Sequence, residues 1–331
     1  MIFSTTKQLV SFPGASKQLP SLLSALGVSR PLIVTDAGIL EAGLLSPLLA
    51  SLPAASVFAD VVPDPTTTNV LSCVEAYLHS GCDGVVGFGG GSSMDVAKVA
   101  AYLAVTPTPL EECWGVDMLG RRRAPLVQVP TTAGTGSEVT PVSILTKAGE
   151  GGGAGGPVSK AGIVSPTLLP DLAVLDGELT LSLPAATTAH TGVDAMVHAI
   201  EAFTCRTKKN PLSDALAKEA LVVLHGNIRE AVRDGSCVDA RSNMLYGSML
   251  AGMAFGNAPV GAVHALAYPL GSIFKGLVDD LGIPRSLGSL GVKEKDLGAL
   301  CDEGMKQTRL LPNNVRELGR EEAAKIYQSI M

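Results

Sequence analysis

Short apolar runs alternate with stretches of helical periodicity over roughly the first 180 residues, and this alternation constrains the fold more than any other feature. The runs are PLIVTD (31–36), ASVFAD (55–60), GVVGFGGG (84–91) and APLVQV (124–129). We interpret each as a β-strand because it is compact, apolar and followed by turn residues. Strands that alternate with helices predict a parallel sheet covered on both faces, with ligands at the carboxyl ends of the strands.

The pattern changes near residues 182–184 (Ser-Leu-Pro), which are typical of a helix start because proline suits the first helical turn. Beyond them the sequence predicts helices only, at roughly 185–205, 211–233 and 240–255. We therefore predict an α/β domain over 1–182 and an all-α domain over 183–331. Within the first domain, the glycine tract 149–157 indicates a flexible surface loop.

The composition excludes two classes of partner. A net charge of −6 and a pI near 5.4 argue against a nucleic acid or an acidic membrane, since both attract basic proteins. Residues 242–274 carry no Asp, Glu, Lys or Arg and are long enough to span a bilayer. They nevertheless contain asparagine, histidine and proline, which are costly in lipid, so we predict buried helices instead.

The cysteines and the N-terminal sequence indicate the compartment. Six cysteines are scattered without a C-x-x-C pair, which favours reduced thiols over disulfides in a chain of this size. The first residues show neither a long apolar run nor a small-residue cleavage site, so no signal peptide is predicted. We therefore expect a cytoplasmic protein.

A glycine run, Gly89 to Gly91, followed by Ser92, lies between a predicted strand and a predicted helix. Glycines let the backbone approach a phosphate closely, and the free N–H groups at a helix start favour an anion. A plain strand-to-helix turn explains the same residues, and Ser92 replaces the third glycine of the G-x-G-x-x-G pattern. Asp95, in the first helical turn, suits the helix dipole even without a ligand.

A second small-residue loop, TTAGTGSEVT (131–140), follows the next predicted strand. Two such loops at strand ends can enclose one pyrophosphate from two sides. Asp36, which ends PLIVTD, is placed where a carboxylate could accept from ribose hydroxyls and repel a 2′-phosphate. A helix cap explains Asp36 equally well, so the sequence leaves both roles open.

Three side chains of the helical half suggest a metal site. Asp194 and His198 are four residues apart in GVDAMVHAIEAF, so both lie on one helix face with Cβ atoms about 6 Å apart. His264, in GAVHALAYPLG, belongs to another apolar helix. A single histidine on an apolar face is usually a hydrogen-bonded core residue. A carboxylate with two imidazoles in apolar helices instead favours a divalent cation.

Five stretches of the sequence resemble the iron-containing, or group III, alcohol dehydrogenase family. They cover almost the whole chain up to Phe274, and LGIPRSL through MKQTRLLPNN is similar to the family's C-terminal end. Long colinear matches are far more specific than a single motif. The stretches are GGGSSMDVAK, VPTTAGTGSEVT, KAGIVSPTLLPDLAVLD, GVDAMVHAIEAFT and NAPVGAVHALAYPLG.

The resemblance implies a Rossmann-like α/β domain with a parallel sheet, then an all-α domain, in a dehydroquinate synthase-like arrangement with the metal in the cleft between them. It implies an NAD-dependent, metal-dependent enzyme that interconverts small alcohols and aldehydes or ketones by hydride transfer. We expect a homodimer with Fe(II), although the ligand types also suit Zn(II). The family's metal ligands correspond to Asp194, His198 and His264. Its NAD contacts correspond to Asp36, Gly90, Gly91, Ser92, Asp95, Thr131, Thr132, Thr135, Thr140, Lys160 and Leu179.

The chain departs from the family's pattern at the fourth metal ligand, which is normally a second histidine of the same region. Its usual place falls on Val278, and no histidine follows His264. The sequence reads as if an internal segment of the helical domain were missing, which shortens that domain after about residue 275. Asp279 or Asp280 could supply a substitute oxygen ligand, although solvated surface carboxylates explain both equally simply.

Two alternatives to a metal-dependent dehydrogenase therefore remain open. One is a metal-independent reductase of the related maleylacetate reductase type, which shares the fold. The other is a truncated NAD-binding protein without catalysis, because losing a ligand and its supporting helices is costly to a metal site. A smaller departure is Asp64, which stands in PDPTT where many relatives have asparagine.

Overall fold

The computed structural model describes residues 2–147, 159–266, 281, 286–288, 292–329 and 331. Most of these residues belong to two compact units, Ser4–Leu183 and Pro184–Met331. The glycine tract at 149–157, predicted to be a surface loop, lies outside the described residues, as do Val278, Asp279 and Asp280.

A six-stranded sheet forms the centre of the unit Ser4–Leu183, and all of its paired strands are parallel. The strands described in this unit are β1 Gln8–Ser11, β2 Pro31–Val34, β3 Ser56–Phe58, β4 Gly84–Gly89, β5 Gly115–Val116, β6 Leu126–Pro130, β7 Val142–Lys147, β8 Ser159–Val164 and β9 Leu172–Leu175. The order across the large sheet is β1-β9-β6-β4-β2-β3. The predicted parallel sheet is thereby confirmed.

Helices cover both faces of this sheet. The α-helices of this unit are α1 Leu19–Ala25, α2 Ala37–Glu41, α3 Ser46–Ser51, α4 Thr67–His79 and α5 Gly91–Leu103. Leu32 and Val34 of β2 belong to one buried cluster, together with residues of α4 and α5. Ile33, between them, belongs to a second cluster that contains Leu19 and Leu23 of α1. This alternation explains why β2, β4 and β6 are buried along their whole length and read as continuous apolar runs.

The chain order reverses beside β2, which pairs with β3 on one side and with β4 on the other. Open α/β sheets bind ligands in the crevice at such a switch point, outside the carboxyl ends of the strands. Asp36 follows β2, and Gly89 ends β4. The topology therefore places both predicted cofactor-binding segments at the expected edge of the sheet.

A second, three-stranded sheet was not predicted in this form. Its order is β5-β8-β7, and β7 pairs with β8 in antiparallel register from Val142 opposite Val164 to Lys147 opposite Ser159. The sequence shows the β character of VSILT in β7. The partner strand β8 carries two small residues, Ala161 and Gly162, and its apolar pattern is too weak to identify from sequence alone.

The second unit is helical in its described residues. Its α-helices are α6 Ala185–Thr204, α7 Pro211–Arg233, α8 Val238–Asn257 and α9 Ala262–Leu266, followed by Leu297–Met305 and Arg320–Ser329. The first three correspond to the predicted helices. Gly192 allows them to pack closely, because a Cβ atom there would lie 2.7 Å from Met244 Cε and 2.8 Å from Ile228 Cδ1. Short 3-10 helices occur in this unit at Glu294–Asp296 and Leu311–Asn313. Those of the α/β unit are Ala15–Gln18, Leu110–Glu112, Ser137–Val139, Pro166–Leu168 and Gly177–Thr180.

A buried asparagine joins two distant segments of the helical unit. The Asn313 side chain donates from Nδ2 to the carbonyl oxygen of Val260 at 2.9 Å, and its Oδ1 accepts from Thr207 Oγ1 at 2.5 Å. Val260 lies between α8 and α9, so the position of α9 depends on a contact with the LLPNN segment. Across the part of the chain that the structure describes, no helix is both long and apolar enough to cross a bilayer.

Candidate functional site

The glycine run ends β4 and begins α5. Gly89 has a φ of 153°, which L side chains rarely adopt, and Gly90 is the N-cap of the helix. A Cβ atom on Gly89 would lie 2.7 Å from Ser93 Oγ, and one on Gly91 would lie 2.7 Å from Thr135 Cγ2. A side chain at Gly89 would therefore collide with the first turn of α5, and one at Gly91 would push the helix start away from the loop that follows β6.

The loop that follows β6 lies directly beside this run. The Thr131 N–H donates to the carbonyl oxygen of Gly89 at 2.9 Å, and a Cβ atom on Gly90 would lie 3.6 Å from Thr132 Oγ1. The structure thus brings the two predicted loops together at neighbouring strand ends. The predicted NAD contacts that meet here are Gly90, Gly91, Thr131, Thr132 and Thr135.

Asp36 caps α2, which is one of the two roles that the sequence left open. Its Oδ1 accepts from the Ile39 N–H at 3.1 Å, and Ser93 Oγ donates to its Oδ2 at 3.3 Å. Asp36 also lines a cavity of about 420 Å³ together with Ser92 and the glycine run. Capping engages only one carboxylate oxygen closely, so it is compatible with a second role toward a ligand in this cavity.

A buried lysine connects α5 to the loop after β6. Lys98 is fully buried, and its Nζ donates to Ser137 Oγ at 2.7 Å, to Val142 O at 2.6 Å and to Thr140 Oγ1 at 3.3 Å. Asp95 accepts from Ser137 Oγ at 2.6 Å and lies 3.7 Å from Lys98 Nζ. The structure therefore engages the side chains of Asp95 and Thr140, both predicted NAD contacts, with protein groups.

Burial perturbs the ionisation of this cluster. It lowers the pKa of Lys98 to about 8, raises that of Asp95, and raises that of the neighbouring Glu138 to about 7. We call Asp95, Lys98, Ser137, Glu138 and Thr140 the Lys98 cluster. No sequence pattern predicts this cluster, since a lysine and a glutamate beside a glycine-rich loop usually face solvent.

Two further predicted NAD contacts do not line the cavity beside Asp36. Lys160, on β8, is exposed and forms an ion pair with Asp64 at 2.7 Å. Asp64 adopts a left-handed backbone with φ 54°, a conformation that asparagine and aspartate tolerate better than other side chains. Leu179 is buried in the hydrophobic cluster that includes Leu19. The assignment of all eleven residues as NAD contacts stays a prediction.

The three predicted metal ligands lie together in the helical unit. Asp194 and His198 are on α6, and His264 is on α9. Asp194 Oδ2 is 3.7 Å from His198 Nδ1, and Asp194 Oδ1 is 3.6 Å from His264 Nε2. The two imidazole rings stack at 4.3 Å, and Phe255 stacks on the other side of His198 at 4.4 Å.

A fourth polar residue, Glu201, was missed by the sequence analysis. It lies on α6 and is 5% exposed, and its Oε2 pairs with Nδ1 of His264. Burial lowers the pKa of His264, but hydrogen bonds to Asp194 and Glu201 outweigh that effect and raise it to about 9. Burial raises the pKa of Asp194, but His198 and His264 more than offset this and hold it below its usual value. The sequence feature that could have identified Glu201 is its spacing, because it follows Asp194 by seven residues on the same helix face.

The donor set fits a divalent cation. Asp194, His198 and His264 each offer one ligand atom, and these atoms lie within 4.8 Å of one another. Within the described ranges this is the one such group of three His, Cys, Asp or Glu residues. A carboxylate and two imidazoles suit both Fe(II) and Zn(II). The role of these residues as ligands stays a prediction, as does the suggestion that Asp279 or Asp280 completes the set.

Comparisons with known proteins agree with this architecture. The family described as iron-containing alcohol dehydrogenase matches residues 6–177, and the Fe-containing alcohol dehydrogenase family, C-terminal, matches residues 188–276. Long-chain-alcohol dehydrogenase 1 of Geobacillus thermodenitrificans (strain NG80-2) is 33% identical over 377 positions, which cover 96% of this chain and 93% of that protein. Because 96% of 331 residues is about 318, about 59 of those positions have no residue in this chain.

Solved structures extend the similarity to three dimensions. A 1,3-propanediol oxidoreductase is 30% identical, with a TM-score of 0.92, and the match covers 100% of this chain and 99% of that chain. The sulfoacetaldehyde reductase from Bifidobacterium kashiwanohense in complex with NAD+ is 26% identical, with a TM-score of 0.88 and coverage of 99% and 98%. The expected resemblance is confirmed: the chain belongs to the iron-containing alcohol dehydrogenase family, whose members are NAD-dependent, metal-containing oxidoreductases that act on alcohols.

Proposed function

We propose that this chain interconverts small alcohols and the corresponding aldehydes or ketones, with NAD at the switch point of the sheet and a divalent metal at Asp194, His198 and His264. The observation that carries the proposal is the convergence of these three ligand-type side chains from α6 and α9 within 4.8 Å. Three residues from two helices of an apolar bundle rarely meet in this way without a cation to bind.

The chain's own residues supply the NAD site mainly through the backbone. The N–H groups at the start of α5, next to Gly90 and Gly91, bind the pyrophosphate, because a helix N-terminus carries partial positive charge. Thr132 and Thr135 lie against the glycine run and offer hydroxyl groups from the second loop. Asp36 accepts from the ribose hydroxyls and disfavours a 2′-phosphate, which selects NAD over NADP.

The metal site supplies the electrophile. When bound, the metal polarises the alcohol oxygen and NAD accepts the hydride, so the chemistry belongs to these two groups. The chain holds Asp194 on the same face of α6 as His198, which fixes two ligands on one rigid element. Packing of Phe255 on the His198 ring keeps that side of the site dry and limits rotation of the imidazole. Iron is the metal of the family, and the ligand types equally allow zinc.

A second candidate function is supported by the length comparison. About 59 aligned positions of the long-chain-alcohol dehydrogenase have no residue here, and the matched C-terminal family region stops at residue 276. A chain that lacks these positions can retain NAD and metal binding while turning over no alcohol. The maleylacetate reductase type of reaction, without a metal, is the third possible outcome.

Metal removal separates these three functions. We would measure metal content of the purified chain, strip it with a chelator, and follow NADH formation with 1-butanol or 1,3-propanediol before and after restoring Fe(II) or Zn(II). Turnover that disappears with the metal and returns with it supports the proposal. Turnover that survives complete removal contradicts it in favour of a metal-independent reductase. Stoichiometric NAD and metal binding without turnover identifies the non-catalytic chain.

We also propose that the protein acts in the cytoplasm as a homodimer. All six cysteines are free thiols in the structure, and five of them are buried, which suits a reducing compartment. Light scattering of the purified chain measures the mass directly, and a mass of one chain at micromolar concentration would contradict the dimer.

A further inference from the structure

Glu201 connects the helix that carries two metal ligands to the helix that carries the third. It lies on α6, three residues after His198, and only 5% of it is exposed. Its Oε1 accepts from the Val263 N–H at 2.6 Å, in the first turn of α9. Its Oε2 pairs with His264 Nδ1. One buried carboxylate therefore fixes both the start of α9 and the imidazole ring one residue further along.

The pairing decides which nitrogen of His264 faces the other ligands. An imidazole that binds a metal is in its neutral form with one proton, and the nitrogen that carries this proton cannot be the ligand. Because a carboxylate only accepts, Glu201 holds the proton on Nδ1. This leaves the lone pair on Nε2, and Nε2 is the atom that lies 3.6 Å from Asp194 Oδ1. The ring is thus oriented, and its tautomer chosen, for a cation beside Asp194.

Glu201 itself is not placed as a ligand. The two nitrogens of an imidazole point away from each other, so a group bound at Nδ1 lies on the far side of the ring from a cation at Nε2. Glu201 also lies outside the group of ligand atoms formed by Asp194, His198 and His264. Both carboxylate oxygens are already occupied, one by Val263 and one by His264. The missing fourth ligand is therefore not replaced by Glu201.

We propose that Glu201 is a positioning residue that sets the tautomer and orientation of His264 for metal binding. The proposal rests on the proposed function, because it requires His264 to be a ligand. A partner of this kind raises the basicity of the ligating nitrogen, and its loss typically weakens metal affinity about 10–100-fold. In a site with three protein ligands, the chain depends more on each remaining one, so we expect the upper part of that range.

The test is Zn(II) affinity of the full chain, measured by competition with a chromophoric chelator, for the wild type, Glu201→Gln and the exposed control Glu219→Gln. Glutamine keeps the shape but has one acceptor where two are needed, for Val263 and for His264. We expect Glu201→Gln to weaken Zn(II) binding at least tenfold. We also expect a changed visible spectrum with Co(II), while NADH binding and circular dichroism stay as in the wild type. Glu219→Gln should match the wild type throughout.

A double variant separates a positioning role from direct ligation. If Glu201 acts through His264, then adding Glu201→Gln to His264→Ala changes Zn(II) affinity less than twofold. Wild-type affinity in Glu201→Gln overturns the proposal, and so does a further tenfold loss in the double variant. If the wild type binds no Zn(II), or if His264→Ala leaves its affinity unchanged, the metal site itself fails, and that outcome overturns the proposed function as well.

Discussion

In the α/β unit most of the residues predicted to bind NAD lie where the chain leaves β2, β4 and β6. The predicted metal ligands of the helical unit instead come from two helices, α6 and α9, with α7 and α8 between them in the chain. The first site is built from backbone N–H groups and short side chains at the edge of one sheet. The second depends on three functional side chains and on the packing that brings distant segments together.

This difference determines which substitutions each site tolerates. A backbone site survives most substitutions and fails when added atoms block the approach of two loops. A side-chain site fails when any ligand or its support is removed. The following experiments test that contrast. The Lys98 cluster is the main exception to it, because there the α/β unit also relies on buried side chains.

We expect the largest effect from Lys98→Met. Removing the buried ammonium takes away the positive charge beside the Asp95 carboxylate and the donor to the Val142 carbonyl oxygen, and breaking a buried ion pair from one side costs about 3–5 kcal/mol. The urea midpoint of unfolding should therefore fall sharply. Lys17→Met, which removes an exposed ion pair with Glu178, serves as the control and should leave the urea midpoint nearly unchanged, because solvent screens exposed ion pairs. Equal effects of the two substitutions would show that the cluster does not support the unit.

His264→Ala should produce the next largest effect, confined to metal binding. It removes one of three ligands, so the affinity loss should exceed the roughly 100-fold upper value for loss of a supporting partner. Zn(II) titration of the stripped chain measures it. His190→Ala, an exposed histidine on the same unit, is the control and should leave affinity unchanged. NADH affinity should be equal in both variants, and a parallel loss of NADH binding would break the separation of the two sites.

Gly91→Ala should weaken NAD binding about tenfold, which corresponds to moderate overpacking. Its Cβ atom would lie 2.7 Å from Thr135 Cγ2, so the second loop must move. Gly90→Ala is the matched variant that should not disturb the protein itself. Its Cβ atom would lie no closer than 3.6 Å to another protein atom, and its φ of −78° is allowed for alanine. Weaker NAD binding in Gly90→Ala with an unchanged urea midpoint would mean that the ligand itself needs the space. Unaltered NAD affinity in both variants would contradict the phosphate-binding role.

The smallest effect concerns cofactor choice at Asp36. Asparagine caps helices as well as aspartate, so Asp36→Asn should keep the cap of α2 and remove only the charge. Repulsion of a 2′-phosphate worth about 1 kcal/mol corresponds to about fivefold discrimination, which the variant should lose. Affinities for NADH and NADPH measure the ratio. If the wild-type protein binds NADH and NADPH with equal affinity, Asp36 does not select the cofactor.

The sequence predicts the parts of this molecule that depend on local pattern. The run from β4 through Gly91 into α5 combines a buried strand, a glycine turn and a helix within twenty residues, so its structure follows from neighbouring residues. The spacing of Asp194 and His198 likewise fixes their common helix face. Their grouping with His264 rested on residue type, a carboxylate with two imidazoles in apolar helices, and resemblance to the family then assigned all three as ligands.

Features that depend on tertiary partners could not be predicted in the same way. Lys98 and Glu138 are charged residues of an ordinary helix and loop, and only the folded unit shows that they are buried. Glu201 lies on the helix face of Asp194, but only the packing of α9 against it shows that it is buried and paired with His264. The antiparallel partner of β7 was missed because β8 lacks a continuous apolar run. In each case the deciding contact lies far away in the sequence.

The contact between Asn313 and Val260 has a consequence for the order in which the protein acquires its structure. Ribosomes add about 5–20 residues per second, so Asn313 leaves the exit tunnel seconds after His264. The segment that precedes α9 lacks its buried anchor during that interval, whereas every strand of the large sheet has already been synthesised. A nascent chain can therefore complete the sheet before the predicted metal site, and cellular metal then meets a site that forms only late in synthesis.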